Sequence, residues 1–359
     1  MLALRLVRGT HPVVQLRRLA VASAAAGVGF LLLCALGYAV GHPGDPAAVI
    51  RLLWCALPLA ATVQFAVAVA RTDPSTRPRP GLSAIGLGQA RLTAIAATST
   101  AVSCTLGSMI ALLFYLHLRG DITGLPFDGA AAGLLAADQP VPLAAALTLL
   151  AIAPVTAATA AALALRPRTK TPAEKSPTSA LPWGVALLAV GLAVETYAAR
   201  GDGGGVLTGW ILTAIGLATM GPGLTYGCGR LLQTVRPGAV RLLAGRVLMT
   251  DSRRIGRPLG VVCAVGSGAV AGYTLHGGSV GALAWLGVSL VVGCTTATLL
   301  TAALESRQNR TLTTEALLRL GAPPSVLRTT ALLRAAVLIA VLAPLTWAVG
   351  ALAAVPLQR

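Results

Sequence analysis

Between Arg257 and Glu305 the chain runs from Pro258 to Leu304 without one charged side chain. A helix needs roughly 20 apolar residues to cross about 30 Å of hydrocarbon, so this stretch is too long for a single crossing. His276-Gly277-Gly278-Ser279 supplies a turn within it, which predicts spans near 258–275 and 280–304. The same criterion places spans near 19–41, 50–70, 92–118, 141–165, 181–199, 206–228 and 335–355. The expected fold is therefore all-α: a polytopic membrane protein with about nine transmembrane helices. Composition agrees, since only 11% of residues are charged and mean hydropathy is +0.78, where a soluble domain carries roughly 25% charge.

A net charge of +17 raises nucleic acid as a partner, but that reading needs basic residues gathered on one wettable surface. Here they are dispersed between apolar runs, and aromatics amount to 4%, too few to stack bases. The partner the pattern does imply is the lipid bilayer. Lys and Arg are retained on the cytoplasmic side of short loops. With the N-terminus inside, 24 of the 28 basic residues fall in cytoplasmic segments, leaving Arg51, Arg119, Arg200 and Arg359 outside. The first span is too long for a cleaved signal peptide and reads as an uncleaved anchor. These points predict a multi-pass protein of the cell membrane with a cytoplasmic N-terminus. Residues 166–180, RPRTKTPAEKSPTSA, read as a flexible cytoplasmic linker.

Several chemistries find no support. Cys34, Cys55, Cys104, Cys228, Cys263 and Cys294 lie in apolar runs and never as Cys-x-x-Cys, so they read as packing residues; a Cys34–Cys55 disulfide is conceivable at matched depth. His11, His42, His117 and His276 have no metal-ligand spacing. No Walker-type loop occurs, so the chain is expected neither to hydrolyse ATP nor to be an enzyme, and no cofactor or metal is expected. Glu195 is the only acid near the interior of a span; its place about one turn from the boundary predicts a solvated, interfacial carboxylate. Pro58, Pro154, Pro222 and Pro344 lie inside predicted spans, where neighbouring helices can satisfy the freed carbonyls.

The chain also repeats itself. Residues 4–19 precede a span as residues 245–259 do about 240 positions later, with Arg5 facing Arg246 and Leu19 near Leu259; Ile85-Gly86-Leu87-Gly88 precedes Arg91 as Leu318-Arg319-Leu320-Gly321 precedes Arg328, offset by 233. Within Glu305–Arg334, ESRQNRTLTTEALLRLGAPPSVLRTTALLR, Glu315 and Arg319 stand at i,i+4 on a short helix. Gly321 suits the left-handed residue that closes it, and Pro323-Pro324 can begin the next helix.

Glu305, Arg307, Arg310 and the LLRLGAPPSVLR of Leu317–Arg328 resemble the signature of the FtsX-like permease family, found in ABC exporters of the MacB and BceB kind. The resemblance implies a membrane-spanning subunit coupling a separate ABC ATPase, in two copies, to export or release of a hydrophobic compound or peptide; a homodimer is a further expectation. The residues it assigns to ATPase coupling are Glu305, Glu315, Leu317, Leu318, Arg319, Leu320 and Gly321, with Leu87 and Gly88 in the first half. It implies a first four-span unit over 1–165, the linker, two connecting spans over 181–228 and a second unit over 229–359. Two departures stand out: the usual large extracellular domain is absent and the second unit has three spans, which reads as a short member or a truncated product. The alternative reading is a non-transporting scaffold that relays ATPase motion to a cell-wall hydrolase or sensor kinase. A secondary transporter is disfavoured by the lack of buried ion-binding groups.

Overall fold

The computed structural model describes residues 12–73, 89–166, 178–200, 205–234, 238–276, 281–308 and 323–357, except 123, 125, 127, 128, 134, 136 and 138, together with 310, 311, 315, 316, 319 and 321. Nine long helices and no strand are found among these residues. They are α1 (Pro12–Gly41), α2 (Pro46–Thr72), α3 (Gln89–Arg119), α4 (Leu143–Leu165), α5 (Leu181–Ala198), α6 (Val206–Thr234), α7 (Ala239–His276), α8 (Ala282–Gln308) and α9 (Pro324–Ala354). All nine are long and apolar enough to cross a membrane. The protein is an all-α, multi-pass membrane protein.

Several helices are longer than the apolar runs that announce them. α7 begins at Ala239 rather than near 258, and α9 at Pro324 rather than near 335. No Gly or Pro separates Val326-Leu-Arg from the α9 span, whereas α7 stays helical through Gly245, Gly256 and Pro258, so packing overrides propensity there. Pro258 consequently falls inside α7, as Pro58, Pro154, Pro222 and Pro344 fall inside α2, α4, α6 and α9.

Contacts divide the chain into one unit of residues 1–169 and 281–294 and another of 170–280 and 295–359. The first boundary falls within the 166–180 linker, and the spans over 181–228 belong to the second unit.

In the first unit α1 is the central helix, packing on α2, α3 and α4. Val28, Leu31, Leu32 and Cys55 form a buried cluster capped by Leu286 and Leu290 of α8. Leu33, Tyr115 and Leu150 form a second cluster between α1, α3 and α4. Cys34 and Cys55 are free thiols, not a disulfide. At the α1–α2 turn the Asp45 carboxylate accepts from the Ala47 N–H at 2.9 Å and from the Tyr38 hydroxyl at 2.7 Å. The Ala47 and Tyr38 hydrogen bonds hold this carboxyl below the usual range. The Arg51 guanidinium lies 3.5 Å from the centre of the Tyr38 ring, a cation–π contact.

In the second unit α6 lies between α5 and α7, and α7 packs on α9. Lipid tails are as apolar as leucine, so close backbone approach rather than hydrophobic burial drives such packing. Gly216 of α6 allows it: a Cβ there would sit 2.7 Å from the Leu188 nitrogen of α5.

Candidate functional site

In the first unit the start of α1 is bound to the end of α2. Arg18 Nη2 donates to Asp73 Oδ2 at 2.6 Å, and Arg17 Nη1 donates to the Thr72 hydroxyl at 3.2 Å. The Asp73 side chain is 11% exposed and that of Arg18 is 37% exposed, so the carboxylate sits in a half-dry environment with Arg18 as a charged partner. The pair closes one wall of a recess also lined by Ser99, Thr100 and Ser103 of α3.

The second unit has a matching contact between α7 and the end of α8. Ser306 Oγ donates to Asp251 Oδ2, and Arg310 forms an ion pair with the same oxygen. Arg310 also donates to Ser306 Oγ at 2.9 Å, closing a three-residue cluster. Asp251 and Ser306 are 9% and 4% exposed. Burial, and then the charge of Arg334, lower the Arg310 pKa to about 10; the guanidinium is still cationic at neutral pH and needs its carboxylate.

The two contacts occupy equivalent places. Arg18 and Asp73 are 55 residues apart, and so are Asp251 and Ser306. Arg18 stands 233 positions before Asp251, and Asp73 stands 233 before Ser306, the offset that also relates Gly88 to Gly321. The polarity is reversed: the opening helix supplies the cation in the first unit and the anion in the second. Each contact ties the opening helix of a repeat to the end of the next helix, just ahead of the short segment that the sequence singles out.

Of the residues assigned to coupling, Glu305 is half-buried on the last turns of α8, next to Ser306. Glu315 and Arg319 are helical and exposed, with no ion pair between them, contrary to the i,i+4 expectation; full exposure leaves such a pair little to gain. Gly321 has φ +86° and open space around its Cα, the left-handed stop that its position predicts. Leu317, Leu318, Leu320, Leu87 and Gly88 lie outside the described residues.

Sequence reasoning passed over Arg18, Asp73, Asp251 and Ser306, and named Arg310 only as part of the FtsX-like signature. A signal was present, because Asp73 and Asp251 are two rare acids among strongly basic connectors, and a buried or half-buried acid there needs a partner.

Glu195 is the clear correction. It is 1% exposed, not solvated, so the spans do hold a buried ionisable group: four residues separate it from Arg200, but its side chain turns toward α6. The Thr213 hydroxyl donates to its Oε1 at 3.1 Å. Its Oε2 is buried without a hydrogen-bond partner.

Comparison with models of known families, with characterised proteins and with solved structures finds no match to this chain.

Proposed function

We propose that this chain is the membrane-spanning permease subunit of an FtsX-like ABC-type transporter. On this reading it lies in the cell membrane with its N-terminus in the cytoplasm and passes the motion of a separate ATPase to its helices. The observation that carries the reading is the pair of contacts Arg18–Asp73 and Asp251–Ser306, at the same separation and 233 positions apart, the second joined by Arg310. A segment that receives force must be anchored where it joins the membrane helices, and each contact anchors the entry to one such segment. Two anchored segments suit two copies of an ATPase.

The mechanism follows from stiffness. A helix pulled at one end transmits displacement only if that end is not free to swing. At Gly321 the chain turns through a left-handed residue, and Pro324 starts α9 at once, with Pro323 as its N-cap. Displacement of the 315–321 segment is thereby delivered to α9, while the Asp251 cluster holds the end of α8 against α7. Export or release of a hydrophobic compound or peptide is the expected outcome.

The test is reconstitution of the full chain in lipid vesicles with an ABC ATPase subunit from the same cell. ATP hydrolysis should rise above that of the ATPase alone and depend on the chain. If the chain neither binds the ATPase nor alters its hydrolysis, the reading fails.

A further inference from the structure

The coupling reading makes no use of Glu195. Its carboxyl is enclosed by α5 and α6: it is 1% exposed, its Cγ stands against Gly209, and no side chain on the α6 surface at Gly209 separates the helices. Thr213 is its one hydrogen-bond donor, at 3.1 Å to Oε1. Oε2 is buried and has no hydrogen-bond partner among the described residues.

No described cation stands ready to balance a negative charge. On α5 itself Tyr197 is exposed, and Arg200 beyond the helix end is exposed. The ionisable side chains of α6, Tyr226, Cys228 and Arg230, belong to its opposite end, as do Arg328 and Arg334 on α9. From α7, Tyr273 is 66% exposed and the His276 side chain lies outside the described ones, while Asp251, Arg253, Arg254 and Arg257 lie toward the other end. A carboxylate enclosed this way within a membrane span would be an unpaired buried charge, which costs far more than a neutral carboxyl short of one hydrogen bond.

We propose that Glu195 is an intramembrane proton-binding site, with the proton carried on Oε2 while α5 and α6 are closed and released to entering water when they part. The step is a simple proton transfer: the O–H bond of the carboxyl breaks, water takes the proton, and the carboxylate becomes hydrated in the opened interface. Thr213 orients the group by holding Oε1, so that Oε2 is the oxygen that bears the proton. Opening of the α5–α6 pair is thereby linked to proton release. The Gly209 contact is what makes the closed state dry.

Infrared difference spectroscopy on the full-length protein in lipid nanodiscs tests this. The spectrum of wild type minus Glu195→Gln should contain the carbonyl stretch of a protonated carboxylic acid, unchanged from about pH 6 to about pH 8. Thr213→Val, which keeps Glu195 and the side-chain shape, should shift that same band because Oε1 loses its donor. The paired stretches of a carboxylate at neutral pH in place of the acid band would overturn the proposal. So would an acid band that Thr213→Val leaves unmoved. The second variant keeps the test decisive if Glu195→Gln fails to fold.

Discussion

Arg18 and Asp73 meet at 2.6 Å across 55 residues of chain, and 233 positions further on Asp251 meets Ser306 across the same separation. The paired positions belong to a repeated pattern in which a long helix clasps the end of its successor. The matched positions set Arg18 against Asp251 and Asp73 against the neutral Ser306, with the second cation supplied by Arg310 four residues later, so placement rather than residue type is what the two contacts share.

The second clasp should be the more sensitive to truncation. Asp251→Ala leaves the half-buried Arg310 without its carboxylate, and loss of one partner of a buried pair costs about 3 kcal/mol. Asp73→Ala leaves only the more exposed Arg18 without its carboxylate and should cost about 1 kcal/mol or less. Thermal unfolding of the detergent-solubilised protein should show a clear drop for the first and little for the second. The charge exchange Arg18→Asp with Asp73→Arg should recover what either single change loses. Equal effects of Asp251→Ala and Asp73→Ala would contradict this ranking.

Among the described residues nothing lies within 4 Å of a Cβ added at Gly321, which leaves its φ of +86° as what a substitution there strains. Gly321→Val should therefore act through the backbone alone, at roughly 1–2 kcal/mol, and redirect the entry to α9. Gly321→Asn, which tolerates this conformation better, should be milder. Limited proteolysis between residues 308 and 324 reads the difference; identical cleavage in the three proteins would count against it.

The membrane helices were legible because hydrophobic runs and charged gaps act over about twenty neighbouring residues, the scale at which a bilayer selects. Gly321 was legible for a similar reason, since a glycine followed by Pro323-Pro324 is a local signal. Asp251 with Ser306 was not, because a contact across 55 residues leaves no local periodicity. Glu195 was misjudged from depth along α5 alone; which face of the helix it occupies, and the presence of Gly209 opposite, decide whether water reaches it.

Topology gives a separate expectation. In a cysteine-free variant, Glu315→Cys should resist a membrane-impermeant thiol reagent in intact cells, whereas Ala130→Cys should react; both positions are exposed. Reaction of Glu315→Cys in sealed cells would reverse the proposed orientation.

The α1–α2 turn should respond to acid. Its Asp45 carboxyl lies below the usual range because Ala47 and Tyr38 donate to the ionised form. The resulting support for the turn is present above the ordinary carboxylate range and lost as pH falls through the lower folded value. Hydrogen exchange at the Ala47 amide should quicken, after correction for intrinsic rate, as acid protonates Asp45, and Asp45→Ala should remove that pH dependence. A pH-independent amide in the wild type would show that the carboxylate does not hold it.

The central claim is that the segment after the second clasp receives an ATPase. An apolar ridge is needed to enter a groove on such a partner, and Leu317, Leu318 and Leu320 are the residues offered for it. The direct measurement is affinity purification of the tagged full-length chain from its own membranes, in wild type and Leu318→Asp at equal abundance. An ABC ATPase subunit should co-purify with the wild type and be lost from Leu318→Asp. Retention of the ATPase by Leu318→Asp, or no ATPase with the wild type, would contradict the account.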